Sequence, residues 1–314
     1  MKKIDLSIII VSYNHEKYIE KAIDSVLSQK VNFSYELIFA DDCSTDRTQE
    51  IIIKKSKKIK NKKIIFNKSN VGNTHNVINA YKESKGKYIT CLEADDYWYD
   101  NNKLQTQYDF LENNSDYIAV SNKRFTIDKK GNKLLSYPLN LKKDTDISLN
   151  DFLNGKSFCY IETMFRNIFI DNVISEKFIE LVLKDRMIGD LPLCIYLCDI
   201  GKVRVLANDF SVYRTITSGN NTNYNSKLNL LKVSKNHILI LNRLSEYYNY
   251  NFSNLYAKHL LEAKIGSYLS KNHNEYKKIK RLIPQNNKHL KLKMIKFFPL
   301  FIRNAFIKIK CGRK

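Results

Sequence analysis

The segment Leu92-Glu93-Ala94-Asp95-Asp96-Tyr97-Trp98 sets three carboxylates directly after the apolar run Tyr88 to Leu92. Carboxylates this close repel one another unless a cation or another partner compensates. A hard divalent ion fits, because Mg2+ and Mn2+ take oxygen ligands and bind through one or two carboxylates together with the phosphates of a substrate. Glu93 and Asp95, two apart on an extended turn, can face the same ion, and Asp96 can share that role. The alternative is a solvated acidic loop ahead of a helix at 101–113. A second acidic pair, Asp41 and Asp42, stands in FADDCSTDRT. At a strand-to-helix turn such acids accept from ring N–H or ribose hydroxyl groups of a nucleotide. Helix capping by Asp42, Ser44 or Asp46 is the competing use.

The elements around these acids alternate. Leu6 to Ser12 predicts a buried strand, Glu16 to Gln29 a helix, and Tyr35 to Ala40 a second strand. Thr45 to Ser56 predicts a helix capped by Ser44 or Thr45, and Lys63 to Asn67 a third strand. Asn73 to Ser84 predicts a helix stopped near Gly86, with Tyr88 to Leu92 as the fourth strand. This order implies a parallel sheet, and in such sheets ligands bind beyond the carboxyl ends of the strands. Ser12, Tyr13 and Asn14 follow the first strand, Asp41 and Asp42 the second, and Glu93 to Asp96 the fourth, so one rim gathers them. Further on, 101–113 reads as helix, 117–127 as strand, and 128–160 as an irregular polar stretch over the rim. Phe178 to Leu183 and Leu191 to Leu197 read as helices, Val203 to Leu206 and Phe210 to Arg214 as short strands, and the chain is helical from Leu228.

In order and spacing, SIIIVSYNHEKYIEKAIDSVLSQ, FADDCSTDRT and SNVGNTHNVINAYKESKGKYITCLEADD resemble the donor domain of inverting GT-A glycosyltransferases, the large family 2, over about residues 4 to 125. The resemblance implies an α/β nucleotide-diphosphosugar transferase fold: a mainly parallel sheet flanked by helices, with a helical C-terminal extension. It implies that Asp41 contacts the base with Asp42 close by, and that Ser12, Tyr13, Asn14 and Asn70 belong to the donor nucleotide site. It also implies that Asp95, in a DxD-like triplet whose first member is here Glu93, binds Mn2+ or Mg2+. MIGDLPLCIYLCDIGKVRVLANDFSVYR looks like the acceptor-side segment of the same family and places Asp190 as general base. A sugar hydroxyl is a poor nucleophile until a positioned carboxylate takes its proton. Read without the family, Asp190 before Leu191 and Pro192 is an ordinary helix N-cap. Arg214 in SVYR would meet diphosphate charge through its planar fork, or make a structural salt bridge. Some relatives carry a histidine two residues after this arginine, where the present chain has Ile216.

The division expected is a transferase domain over 1–225, with 1–125 binding the donor and 126–225 the acceptor, followed by a basic helical extension over 226–314. Net charge is +21, and it is clustered: residues 275–314 hold thirteen Lys or Arg against the single acid Glu275, and Lys54 to Lys63 holds seven Lys. From Lys288 the chain mixes Phe297, Phe298, Phe301 and Phe306 with basic residues, which suits the boundary of an anionic membrane. A terminal helix docked with a solvated basic face is the alternative. The partners expected are therefore a nucleotide-sugar donor, a glycan or lipid-linked acceptor, and an anionic membrane surface met through 288–314, at the cytoplasmic face of a membrane. No stretch of eighteen apolar residues occurs, and six cysteines without paired spacing are expected as reduced thiols, Cys194 and Cys198 packed on a helix. Basicity alone would also fit nucleic-acid binding, but no such motif is present and an acidic rim repels phosphate unless a metal is bound. A sugar-nucleotide binder without turnover is the third reading.

Overall fold

Leu6–Ser12 is buried at every position, as a central strand covered on both faces must be, and it seeds the sheet as β1. The computed structural model describes residues 3–128, 131–138, 141–156, 158, 161, 163–171, 173–185, 189–214, 230–285, 287, 289–295 and 297. After β1 come α1 (Ile19–Leu27), β2 (Tyr35–Asp41), α2 (Thr48–Ser56), β3 (Lys62–Phe66), α3 (Asn73–Lys82), β4 (Tyr88–Glu93) and β5 (Tyr97–Trp98). Then follow α4 (Lys103–Asn113), β6 (Tyr117–Ile127), β7 (Lys133–Tyr137), β8 (Thr145–Ile147), α5 (Leu149–Leu153), β9 (Met164–Arg166), α6 (Glu176–Leu183), α7 (Asp190–Ile200) and β10 (Lys202–Arg214). α8 (Leu230–Tyr248), α9 (Ser253–Ser270) and α10 (His273–Arg281) close the described chain. It divides into two compact units, Met1–Phe152 with Ser157–Arg214, and Leu153–Lys156 with Thr215–Lys314.

In the first unit the strand order is β3-β2-β1-β4-β9-β6-β10-β5, with β7 added on β6 and β8 on β10. β3, β2, β1 and β4 are mutually parallel, the arrangement expected of the alternating amino-terminal half. Beyond β4 the sheet becomes mixed, because β9 runs antiparallel to both β4 and β6. Leu6, Ile8, Ile10, Leu37, Phe39 and Leu92 pack with Ile19, Ile23 and Val26 of α1 and with Trp98 and Leu104, all essentially out of solvent. Each such side chain contributes about 1.5–3 kcal/mol of transfer free energy. β3 forms one end of the strand order, and its Lys62 and Lys63 place charge where another chain could add a strand. Arg166 fastens β9 in place: its guanidinium donates to the Leu111 carbonyl at the end of α4 (2.8 Å) and to the Tyr117 carbonyl at the start of β6 (2.8 Å).

Several expectations are corrected. Gly86 does not end α3, which closes on Glu83; its N–H instead donates to Ser7 Oγ (2.8 Å), and a Cβ there would lie 2.6 Å from the Leu6 carbonyl carbon. α2 starts at Thr48, and the residue serving its first turn is Asp46, which accepts from the Thr48 N–H (3.0 Å). The two short strands expected over 203–206 and 210–214 are one strand, β10, with register shifts around Asp209, where the Ala207 N–H leaves the ladder for Asp144 (2.8 Å). The polar stretch 128–160 carries β7, β8 and α5. Cys43, Cys91, Cys194 and Cys198 are free thiols, and burial pushes Cys198 up to about 12.

In the second unit α8 and α9 bury Ile238, Leu241, Leu244, Tyr256 and Leu260, and α10 adds Ile279. The proposed membrane segment 288–314 falls mostly outside the described residues; within it Met294 and Phe297 are buried while Leu292 and Ile295 are exposed. No helix among the described residues is long and apolar enough to cross a membrane.

Candidate functional site

The parallel register brings the strand ends together, since Ser12 pairs with Asp41 and Val11 with Glu93. Both chains then turn sharply. Asn14 after β1 (φ 55°) and Cys43 after β2 (φ 63°) lie in the left-handed region, and Asn is among the few side chains that adopt it readily. Asn14 ties the two turns, its N–H donating to Ser44 Oγ (2.8 Å) and its Oδ1 accepting from the Thr45 N–H (2.8 Å). Tyr13 beside it is exposed.

Asp41 at the end of β2 and Asp42 just after it are buried and filled with protein donors. Asp41 accepts from Ser12 Oγ (2.7 Å), the Ser44 N–H (2.9 Å) and Gln49 Nε2 (2.7 Å). Asp42 accepts from the Val71 N–H (2.8 Å), the Gly72 N–H (2.8 Å) and Asn67 Nδ2 (3.0 Å). Asp42 therefore caps the turn into α3, where Gly72 takes a φ of 92° that a side chain would resist. Asn70 on that turn donates to the Asp42 carbonyl (3.4 Å).

The second group surrounds the acids after β4. Glu93, Asp95 and Asp96 each offer a carboxylate oxygen within 4.8 Å of the others. Asp96 is 1% exposed; its Oδ1 accepts from the Arg214 N–H (2.8 Å), and its Oδ2 is buried without a hydrogen-bond partner. Burial, then Asp95 and Glu93, push the Asp96 carboxyl well above the usual carboxylate range, with Arg124 opposing. A buried carboxylate oxygen without a donor is costly and rare. An all-oxygen cluster with such an atom suits a hard divalent cation, so the residues present fit Mg2+ or Mn2+.

Arg214 ends β10 with its guanidinium 5.3 Å from the Tyr18 ring centroid and 4.8 Å from that of Tyr97, while Lys21 Nζ lies 3.8 Å from Tyr97. Arg124 of β6 lies 4.2 Å from the Tyr213 ring. Burial raises the Tyr213 hydroxyl above its ordinary range; Arg124 opposes, and Asp96, Glu93 and Asp95 add to the rise. Asp190 is the exposed first residue of α7 rather than its cap, a place held by Gly189, and its Oδ1 accepts from the Leu191 N–H (2.9 Å). Gly189 packs on Thr74, whose Cγ2 a Cβ there would meet at 3.0 Å, so Asp190 enters beside the start of α3.

The structure thus gathers Ser12, Asn14, Asp41, Asp42 and Asn70 into one network and joins Asp96 to Arg214 beside Glu93 and Asp95. Among the described residues, no hydrogen bond joins Asp190 to either group. Sequence reasoning missed Tyr18, Tyr97, Arg124 and Tyr213. Arg124 stands beside a second cation, Lys123, on β6, so the sequence does not single it out. Lys103 was also missed: it is fully buried, 4.5 Å from the Trp98 ring, and donates to Gln107 Oε1 (2.9 Å).

The model of Glycosyl transferase family 2 matches residues 7–172. An uncharacterized protein of Mycobacterium tuberculosis is 30% identical over 163 residues, 49% of this chain and 46% of that protein, so the present chain spans about half the length of that relative. The Escherichia coli UDP-Glc:alpha-D-GlcNAc-diphosphoundecaprenol beta-1,3-glucosyltransferase WfaP is 30% identical over 223 residues, 59% of this chain and 86% of the relative. The crystal structure of S. aureus TarS 1-349 in complex with UDP-GlcNAc shares the fold, with a TM-score of 0.63 at 17% identity over 93% of this chain and 89% of that one.

Proposed function

The chain belongs to glycosyl transferase family 2, and from that premise we propose that it is an inverting, metal-dependent enzyme that moves a sugar from a UDP-sugar to a hydroxyl of a glycan or lipid-linked acceptor in cell-surface polysaccharide biosynthesis. The observation that carries this reading is the buried, unpartnered Oδ2 of Asp96 within the Glu93-Asp95-Asp96 cluster at the carboxyl rim of the sheet. Mn2+ or Mg2+ held there by these three residues would supply charge to a departing diphosphate. UDP is favoured because the relative WfaP is named for UDP-Glc and the TarS structure holds UDP-GlcNAc.

The residues take the following parts. Asp41 and Asp42 fix the turns on which the nucleotide rests, with Ser12, Tyr13, Asn14 and Asn70 lining them. A direct contact of Asp41 with the base requires its carboxylate to exchange Gln49 or Ser44 for a donor on the ring. Arg214, steadied by Tyr18 and Tyr97, turns its fork to the diphosphate. Asp190 takes the proton from the acceptor hydroxyl as that oxygen attacks C1, and a single in-line displacement inverts the anomeric centre. The segment 288–314 lends a basic, aromatic surface for an anionic cytoplasmic leaflet, where a lipid-linked acceptor would be met.

A donor-hydrolysis panel tests the reading. UDP-sugars should be hydrolysed slowly with Mn2+ or Mg2+, and Asp95→Asn should abolish the metal stimulation. Hydrolysis or binding of no nucleotide sugar under either metal would sink it, and binding without any turnover would leave only a sugar-nucleotide binder.

A further inference from the structure

Gly189 precedes α7 with φ −92° and ψ −23°, right-handed angles that any residue adopts. Its missing side chain is therefore a matter of space and not of backbone freedom. A Cβ there would lie 3.0 Å from Thr74 Cγ2, 3.5 Å from Thr74 Oγ1 and 3.6 Å from Thr74 Cβ. Ordinary contact between carbons is roughly 3.5–4.0 Å, so an alanine would have to displace its surroundings by about half an ångström. Thr74 gives way poorly. It is 2% exposed in the first turn of α3, whose entry is fastened by Asp42 at the Val71 and Gly72 N–H groups and whose Asn76 donates to the Ala40 carbonyl of β2 (2.9 Å). The body of α7 is held as firmly, because every residue from Pro192 to Cys198 is buried in a close-packed interior. The displacement falls on the start of α7, where Asp190 is exposed.

We propose that Gly189 is a positioning residue for the base: by leaving its side-chain space to Thr74, it seats the start of α7 against α3 and so fixes Asp190 relative to the turn that Asp42 holds. This rests on the reading of Asp190 as the base, and it gives Gly189 no contact with the reacting atoms. The donor turn and the acceptor base then share one contact, between the methyl of Thr74 and the bare backbone of Gly189. Such a role is separable from folding. Alanine at these angles has fewer unfolded states to lose than glycine, which offsets the strain it introduces, yet it shifts the carboxylate beside it. Thr74→Ser removes the methyl that an alanine would meet, so it should seat the carboxylate again.

The test uses the full chain as Gly189→Ala, as Thr74→Ser and with both substitutions. Hydrolysis of the sugar nucleotide that the parent cleaves fastest among UDP-glucose, UDP-galactose, UDP-GlcNAc and UDP-GalNAc reads the base, with water in place of the acceptor hydroxyl. UDP affinity at saturating Mn2+ is read by calorimetry, and the unfolding midpoint by circular dichroism. A misplacement of 1 Å costs roughly 10²-fold, so half of that should lower kcat of Gly189→Ala by roughly tenfold. Its KM and its UDP affinity should stay within about twofold of the parent, and its midpoint within about 2 °C. Thr74→Ser alone should keep kcat within about threefold, and the double variant should return to that level because the two sites are in contact. A parent-like kcat in Gly189→Ala, a loss that Thr74→Ser does not restore, or an equal loss of UDP affinity would each overturn the proposal. Asp190→Asn, run alongside, tells the failures apart. Parent-like hydrolysis by Asp190→Asn removes the base reading itself, whereas a slow Asp190→Asn beside a fast Gly189→Ala removes only the part given to Gly189. A parent that cleaves none of the four sugar nucleotides overturns the donor reading as well.

Discussion

Replacing Asp42 with Asn removes one acceptor oxygen while leaving the side chain's size unchanged, which makes it a sharp probe of the turn at 67–72. Asp42 is 3% exposed and its two oxygens receive the Val71 and Gly72 N–H groups and Asn67 Nδ2 at 2.8–3.0 Å. An Asn can keep the oxygen that serves Val71 and Asn67, but its NH2 then faces the Gly72 N–H, leaving two buried donors opposed. Loss of a hydrogen bond to a charged acceptor costs about 1.5–3 kcal/mol, and a buried unsatisfied donor adds about 1 kcal/mol or more. The expected destabilisation is about 3 kcal/mol, which for a unit of this size lowers the midpoint by roughly 6–12 °C. Thermal unfolding followed by near-ultraviolet circular dichroism, without nucleotide, reads it. A midpoint within 1 °C of the parent, accompanied by loss of UDP binding, would refute the reasoning, because Asp42 would then serve the ligand and not the turn.

Asp190→Asn should lower the transfer rate by roughly 10²–10⁴-fold while UDP binding by calorimetry stays within about twofold, because the residue is assigned to the acceptor proton alone; an unchanged rate removes it from that role. In the helical unit, burial opposes the charge of Glu262, yet His259 (2.8 Å), Lys258 and His237 outweigh it and hold its carboxyl down to about 2. A depressed folded-state value stabilises above the unfolded value and is lost as acid protonates the group, so the unit should lose about 2–3 kcal/mol between roughly pH 4.5 and 2. Glu262→Gln, measured by chemical denaturation across that window, should show a flatter pH dependence; an equal slope would contradict the assignment.

What could be read from the residues followed from local pattern. The apolar runs of β1, β2 and β4, alternating with helical periodicities, point to buried parallel strands, and their polar ends mark the rim, so Ser12, Asp41 and Glu93 could be placed from the sequence. The residue serving the first turn of α2 stayed open among Asp42, Ser44, Thr45 and Asp46 because all are good caps in sequence, and the turn that Asp42 serves lies about thirty residues away. β9 was missed because Met164–Arg166 is three residues long, too short for a periodicity, and is fixed by Arg166 reaching α4 and β6. The aromatic–arginine stacks were invisible for the same reason: Tyr18, Tyr97 and Arg214 meet only after α1, β5 and β10 have packed.

The central claim is that the acids after β4 hold a cation shared with a nucleoside diphosphate. Calorimetric titration of Mn2+ into the full chain with UDP present tests it most directly, comparing the parent with Asp96→Asn and Asp95→Asn. The account predicts one Mn2+ per chain in the parent and at least roughly tenfold weaker binding in each variant, because a lost carboxylate ligand removes both charge and coordination. Equal Mn2+ binding by all three proteins, or UDP binding that ignores Mn2+, would contradict it.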